Sequence, residues 1–151
     1  MESSQVDCHI LSIPYRGRGH INPLMNLCKL IATQNILLRG SVIVTEEWFS
    51  FLKSEPKPDN IQFRTIPNVI PSDKCKGKDL RGFMEAVNTK MEAPVESIHD
   101  GLPKPNVILA DSFLPCAVSI GERRNIPVAS FWTECEFDTK ENVENVFLEN
   151  K

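Results

Sequence analysis

Five short apolar runs recur along this sequence, and segments with helical spacing separate them. The runs cover residues 8–14, 41–45, 61–66, 106–111 and 128–132. The helical segments cover residues 23–33, 48–52, 80–98 and 114–124, and Pro94 is expected to kink or split the third. Uninterrupted β-branched runs such as Val42-Ile43-Val44 are typical of parallel strands covered on both faces. The alternation therefore predicts an α/β fold, with a parallel sheet between two layers of helices.

Connection rules restrict how such strands can be ordered. Right-handed crossovers leave few topologies, and the Rossmann-like, doubly wound order for five strands is 3-2-1-4-5. In that order the first and fourth strands are neighbours, because the direction of winding reverses between them. Ligands of open α/β sheets bind at this reversal, outside the carboxyl ends of the strands. We therefore expect one domain with a ligand crevice beside the ends of these two strands.

Residues 16–20, Arg-Gly-Arg-Gly-His, form a glycine-punctuated loop after the first strand. Asn22-Pro23 is expected to begin the next helix, with Asn as N-cap and Pro in the first helical position. His20 lies at this join, and Asp111 ends the fourth strand 91 residues later. The predicted topology brings both side chains to the same crevice. A carboxylate beside an imidazole fixes its tautomer, so that the histidine can accept a proton from a hydroxyl group.

Other readings of these residues stay open. The pattern Gly17-x-Gly19-x-x-Asn22 is similar to a dinucleotide-binding fingerprint whose third glycine is replaced, and Glu46 and Glu47 could then bind a ribose. This nicotinamide-dependent oxidoreductase alternative is the weaker one, because a bulky histidine in the loop fits a pyrophosphate poorly.

Several candidate residues have plainer interpretations. His9 is expected to be a packing residue within the first strand, and His99 is expected to form a surface pair with Asp100. The aromatic cluster around Trp48 is interpreted as core, although Trp48 is close enough to the second strand's edge to line a pocket. Ala117 and Gly121 lie four residues apart and predict a helix that approaches the sheet closely.

Composition excludes several classes of protein. The chain is 41% hydrophobic and 25% charged, as in ordinary globular domains, and its net charge of −3 with no basic stripe argues against a nucleic-acid partner. Five cysteines, at positions 8, 28, 75, 116 and 135, include no C-x-x-C pair and predict reduced thiols rather than a metal site. No run of 18 apolar residues and no leader sequence is found, so we expect a cytoplasmic protein without a membrane partner.

Residues 14–23, PYRGRGHINP, resemble the amino-terminal loop of plant UDP-sugar-dependent glycosyltransferases of family 1. Segments 44–48, 66–71, 108–111 and 126–133 are similar to the same family pattern in the same order, so the resemblance covers about residues 7–133. It implies the amino-terminal, acceptor-binding half of a GT-B fold, in which two Rossmann-like domains face a cleft. It also implies a transferase of plant secondary metabolism that moves a sugar such as glucose from a UDP-sugar to a hydroxyl group.

The resemblance further implies roles for individual residues. His20 is the general base, Asp111 is its partner carboxylate, and the configuration of the sugar inverts. The acceptor is a phenolic or flavonoid-like small molecule, and residues 68–91 correspond to the segments that shape its binding site. The UDP-sugar is a co-substrate, and no cofactor or metal is implied. Residues expected to contact the substrates are Gly19 and Thr133 for the donor sugar, and Trp48, Phe83 and Trp132 for the acceptor.

The sequence departs from the family pattern after Thr133. Residues 134–151 hold six acidic residues and two lysines, and nothing resembling the family's donor signature follows. We therefore interpret residues 1–133 as an acceptor domain and residues 134–151 as a divergent acidic tail of a truncated product, with the donor-binding domain absent. Such a chain is expected to be inactive alone, and the alternative is a non-catalytic fragment that binds a small molecule or a protein.

Overall fold

The computed structural model describes residues 8–15, 17–69 and 80–132. Thr133, the 134–151 tail, and the cysteines at 75 and 135 lie outside the described residues. The described strands are β1 (Cys8–Ile13), β2 (Leu38–Thr45), β3 (Ile61–Ile66), β4 (Val107–Asp111) and β5 (Val128–Phe131). The described helices are α1 (Arg18–Gln34), α2 (Glu46–Leu52), α3 (Leu80–Lys90), α4 (Glu92–Asp100) and α5 (Pro115–Arg124).

The five strands form one parallel sheet in the order β3-β2-β1-β4-β5, which confirms the predicted Rossmann-like α/β fold. Successive side chains of a strand point to opposite faces, and the two faces build two hydrophobic cores. Leu11 and Ile13 of β1 pack in the core that α3, α4 and α5 cover. Val42 and Val44 of β2 pack in the core that α1 and α2 cover.

The first helix begins earlier than the sequence predicted. α1 starts at Arg18, so the prediction that Asn22-Pro23 opens it was wrong. Gly17 has a φ of 116°, a conformation that glycine adopts without steric strain, and this residue turns the chain directly into the helix. Its carbonyl accepts a hydrogen bond from the His20 amide at 3.1 Å. His20 therefore lies in the first turn of α1, near the positive end of the helix dipole, instead of in a loop.

Two sequence predictions about helix packing are confirmed. The 80–98 segment splits into α3 and α4 at Met91, and Pro94 lies in the first turn of α4, where a backbone N–H has no helical partner to lose. α5 lies very close to the sheet. A Cβ on Gly121 would stand 2.3 Å from Val128 Cγ2 and 2.8 Å from the Ile126 carbonyl oxygen.

Two histidines are buried away from the predicted crevice. His9 packs within β1 as expected: its Nδ1 donates to the Pro103 carbonyl at 3.2 Å and its Nε2 accepts from the Ser41 hydroxyl at 2.9 Å. The prediction that His99 is a surface residue was wrong, because it lies on the inward face of α4 and is 4% exposed. Its Nδ1 accepts a hydrogen bond from Arg124 at 3.0 Å. Burial lowers the pKa of both histidines.

The thiols of Cys8, Cys28 and Cys116 are free, and the latter two are buried. No helix in the described part of the chain combines the length and the apolarity needed to cross a membrane.

Candidate active site

Asp111 is held rigidly at the carboxyl edge of the sheet, where the winding reverses. It is the last residue of β4, and its side chain is fully buried. The chain turns after the strand, so that the Phe113 amide donates to Asp111 Oδ1 at 2.9 Å. This turn leaves Oδ2 directed toward the neighbouring strand β1 and the helix that follows it.

His20 meets this carboxylate from the first turn of α1. Its Nδ1 lies 2.9 Å from Asp111 Oδ2, and 16% of its side chain is exposed. An ionised carboxylate only accepts hydrogen bonds, so Nδ1 carries the proton and Nε2 carries the lone pair. An imidazole in this state can take a proton at Nε2, and the buried carboxylate then stabilises the imidazolium.

Aromatic rings continue from the histidine along the sheet edge. The ring centroids of Tyr15 and His20 are 4.8 Å apart, those of His20 and Phe113 are 5.5 Å apart, and those of Phe113 and Trp132 are 5.5 Å apart. We call these four residues the aromatic row. Trp132 forms its accessible end and is 54% exposed. Burial raises the pKa of Tyr15, and the nearby charge of Asp111 raises it further.

The two other residues predicted to bind the acceptor are buried. Phe83 is 0% exposed and meets the ring of Tyr15 edge-on, with the centroids 6.0 Å apart. Trp48 is 3% exposed and lines a small apolar cavity on the β2 side of the site, together with Pro14 and Ile21. Its indole N–H is buried and makes no hydrogen bond to any residue that the structure describes. Of the three, Trp132 is the one that a ligand can reach in this conformation.

Of the two residues predicted to contact the donor sugar, Gly19 is within the described residues. Gly19 lies in the first turn of α1, and a Cβ built on it would meet no atom within 4 Å among the described residues beyond its chain neighbours and its own helix backbone. Gly19 directly precedes His20 in the sequence, so the open space in front of its backbone lies beside the histidine. Thr133 lies outside the described residues.

Sequence reasoning did not identify Tyr15 and Phe113 as members of the site. A signal was present for both, because each aromatic lies two residues after the end of a strand that borders the reversal. Within the ranges 8–15, 17–69 and 80–132, no group of three or more His, Cys, Asp or Glu side chains is placed to hold a metal ion.

The strand order is that of a Rossmann-like domain, and a paired histidine and aspartate lie where its winding reverses. No family model matches the chain. Curated proteins do match it. UDP-glycosyltransferase 87A2 of Arabidopsis thaliana is 50% identical over 127 residues, which are 83% of this chain and 28% of the relative. UDP-glycosyltransferase 87A1 of the same plant is 48% identical over 122 residues, which are 80% of this chain and 28% of the relative.

Solved structures share the fold. Medicago truncatula UGT71G1 complexed with UDP-glucose superposes with a TM-score of 0.66 at 20% identity, over 83% of this chain and 29% of that one. A UDP-glucose: anthocyanidin 3-O-glucosyltransferase in complex with UDP gives a TM-score of 0.69 at 23% identity, over 90% of this chain and 31% of that one. The chain is similar over most of its length to plant UDP-glycosyltransferases, and it spans about 28% of the length of the curated relatives it matches.

Proposed function

We propose that the protein containing this chain transfers a sugar from a UDP-sugar to a hydroxyl group of a small aromatic acceptor, with inversion at the anomeric carbon. The observation that carries the proposal is the 2.9 Å hydrogen bond between His20 Nδ1 and buried Asp111 Oδ2. This bond leaves the lone pair of Nε2 as the basic position of the ring.

The proposed chemistry assigns one step to each side chain. The acceptor's hydroxyl proton moves to His20 Nε2 while its oxygen attacks the anomeric carbon. The bond from that carbon to the diphosphate oxygen breaks, and UDP leaves. Asp111 stabilises the imidazolium that forms. The UDP-sugar is the co-substrate, and the proposal includes no metal or further cofactor.

The surroundings of Gly19 support a sugar nucleotide on this side of His20. The space in front of its backbone is open, and it lies at the amino end of a seventeen-residue helix, where the dipole favours negative charge. A diphosphate or the sugar it carries can approach that backbone closely. In this proposal the remaining donor contacts come from the part of the whole protein that the chain does not span.

The aromatic row supports a planar aromatic acceptor. Phe113 and Trp132 offer rings tilted by 32° to one another directly beyond the imidazole, and stacked rings gain energy beyond their buried area. More specifically, the proposed acceptor is a flavonoid. A structure of the same fold, Arabidopsis thaliana UGT89C1, is complexed with quercetin, at 23% identity and a TM-score of 0.66 over 82% of this chain and 34% of that one.

A chimera tests the catalytic assignment. Residues 8–132 of this chain replace the aligned segment of UDP-glycosyltransferase 87A2, and transfer from UDP-glucose is measured with a panel of phenols. We expect His20→Gln to lower kcat by about 10²- to 10⁴-fold, because general base catalysis contributes that much. Asp111→Asn should lower kcat by a similar factor with little change in acceptor KM.

The matched control is His9→Gln, which alters a buried histidine outside the site and should leave the kcat of the folded chimera unchanged. A His20→Gln chimera that retains the parent rate would refute the general-base assignment. The 151-residue chain alone is expected to bind quercetin without turnover, and Trp132→Leu should weaken that binding. Transfer by the unfused chain would contradict the proposal that donor contacts lie elsewhere.

A further inference from the structure

We propose that Tyr15 is a positioning residue, whose aromatic ring holds the imidazole of His20 in the orientation that directs Nε2 toward the acceptor. This inference rests on the proposed function. Tyr15 stands between the end of β1 and Gly17, and its ring lies against the imidazole with the centroids 4.8 Å apart and the planes at 58°.

The hydrogen bond to Asp111 does not by itself fix the plane of the imidazole. Asp111 is fixed because its other oxygen, Oδ1, accepts from the Phe113 amide. The bond from His20 Nδ1 to Oδ2 joins the ring to this fixed point at one atom. The torsion that rotates an imidazole about its Cβ–Cγ bond has broad minima, so a hydrogen bond at one ring atom does not determine the plane of the ring. Packing against the face or edge of a second ring removes that freedom.

Tyr15 is itself wedged, which makes it a suitable support. Its ring meets Phe83 of α3 edge-on at 6.0 Å, and Phe83 is 0% exposed. On the other side it meets Phe113 at 5.7 Å, and Phe113 in turn meets the imidazole at 81°. The imidazole therefore lies against two rings that also contact each other. Moving the imidazole toward these rings would require Tyr15 or Phe113 to move, and Tyr15 is backed by the buried ring of Phe83.

Tyr15 also remains uncharged beside the carboxylate. Burial raises its pKa, and the charge of Asp111 raises it further, so the phenol stays protonated over the neutral range. A neutral ring packed here limits the access of water to the His20–Asp111 bond, and a less screened pair attracts more strongly. Both effects favour one state of the imidazole, the one with its proton on Nδ1.

Nuclear magnetic resonance of the 151-residue chain provides the test. Long-range proton–nitrogen spectra of its three histidines are recorded at about pH 8.5, above the ordinary titration range of imidazole. The wild-type chain should show His20 with a proton on Nδ1 alone. Tyr15→Phe should keep that spectrum, because the ring is retained. Tyr15→Leu should give averaged nitrogen shifts, because one ring pair changes a population ratio by a factor of about two to ten.

Phe49→Leu is the matched control. It removes an edge-on ring pair with Phe63, 5.9 Å apart at 69°, and should leave the His20 spectrum unchanged. The His9 signals check that β1 is intact in every variant. If Tyr15→Leu does not fold, Tyr15→Met replaces it, since an unbranched side chain fills the same space without a ring.

The outcomes separate the two proposals. A wild-type His20 without its proton on Nδ1 would overturn the proposed function and this inference together. A wild-type His20 with that proton, and a Tyr15→Leu or Tyr15→Met spectrum identical to it, would overturn the positioning role alone. Averaged shifts in Tyr15→Phe as well would also overturn it, because they would assign the effect to the hydroxyl and not to the ring.

Discussion

Replacing Gly121 with alanine should destabilise the fold, although the same change normally stabilises a helix. In an unobstructed helix interior, alanine is favoured over glycine by about 1 kcal/mol. Here the new Cβ would stand 2.3 Å from Val128 Cγ2 and 2.8 Å from the Ile126 carbonyl oxygen. The side chain of Val128 can rotate away. The carbonyl cannot move freely, because the Ile126 amide is bonded to the Gly121 carbonyl at 2.9 Å.

The expected magnitude follows from these opposing terms. Inserting a methyl group into a filled space costs about 1–3 kcal/mol, and a backbone obstacle favours the upper part of that range. After the propensity gain is subtracted, we expect a net loss of about 2 kcal/mol. For a chain of this length that corresponds to a fall in Tm of about 4–8 °C. Urea unfolding should show a lower midpoint with an unchanged slope.

Gly19→Ala is the matched control, since it makes the same chemical change in another helix, where the new Cβ would meet no described atom within 4 Å beyond its chain neighbours and its own helix backbone. It should be neutral or stabilising by up to about 1 kcal/mol. Val128→Ala should recover part of the loss in the Gly121→Ala background, and the double-mutant cycle should give a favourable coupling of about 1 kcal/mol. A Gly121→Ala chain that melts as high as Gly19→Ala would refute the reasoning, because α5 could not then lie so close to β5.

Two further predictions concern buried polar groups. Trp48→Phe should leave the free energy of unfolding unchanged or raise it, because it removes an indole N–H that is buried without a described hydrogen-bond partner. A loss above about 1 kcal/mol in a urea titration would contradict this prediction. Burial lowers the pKa of both His9 and His99. The nearby charge of Arg124 lowers the pKa of His99 further. At these two histidines the unfolded chain therefore binds protons more readily than the folded chain. The stabilisation from neutral His9 and His99 should thus be complete above about pH 6.5 and be lost as the pH falls below it. A His99→Gln chain whose free energy of unfolding has the same dependence on pH as that of the wild type would count against this prediction.

Sequence reasoning was sufficient for the features that depend on topology. Apolar runs alternating with helical segments led to the order β3-β2-β1-β4-β5, and that order alone brings the ends of β1 and β4 together. The proximity of His20 and Asp111 was therefore predictable without knowledge of any side-chain conformation, and it is observed at 2.9 Å. The break between α3 and α4 was predictable as well, because the ring of Pro94 and its missing N–H disrupt a helix interior in any context.

Features that depend on backbone conformation or helical phase were not predictable in the same way. The start of α1 is set by the positive φ of Gly17, and a glycine in a loop does not reveal the sign of its φ. The burial of His99 depends on the orientation that α4 takes after the chain breaks at Met91. The place of Phe113 beside the imidazole depends on the turn that its amide forms with Asp111. In each case a single torsion or rotation decides the outcome, and the residue types leave it open.

The order of the strands has a consequence for how the chain reaches its final state. β2 and β3 follow β1 in the sequence, so these three can pair while β1 still has one unpaired edge. β4 pairs with that edge from residue 107 onward, after a separation that makes the contact slow to form. Hydrogen-exchange labelling during refolding should therefore protect the amides shared by β1 and β2 before those shared by β1 and β4. The imidazole of His20 and the carboxylate of Asp111 meet only when β4 pairs with β1, so a half-assembled sheet lacks the hydrogen bond on which the proposed base depends.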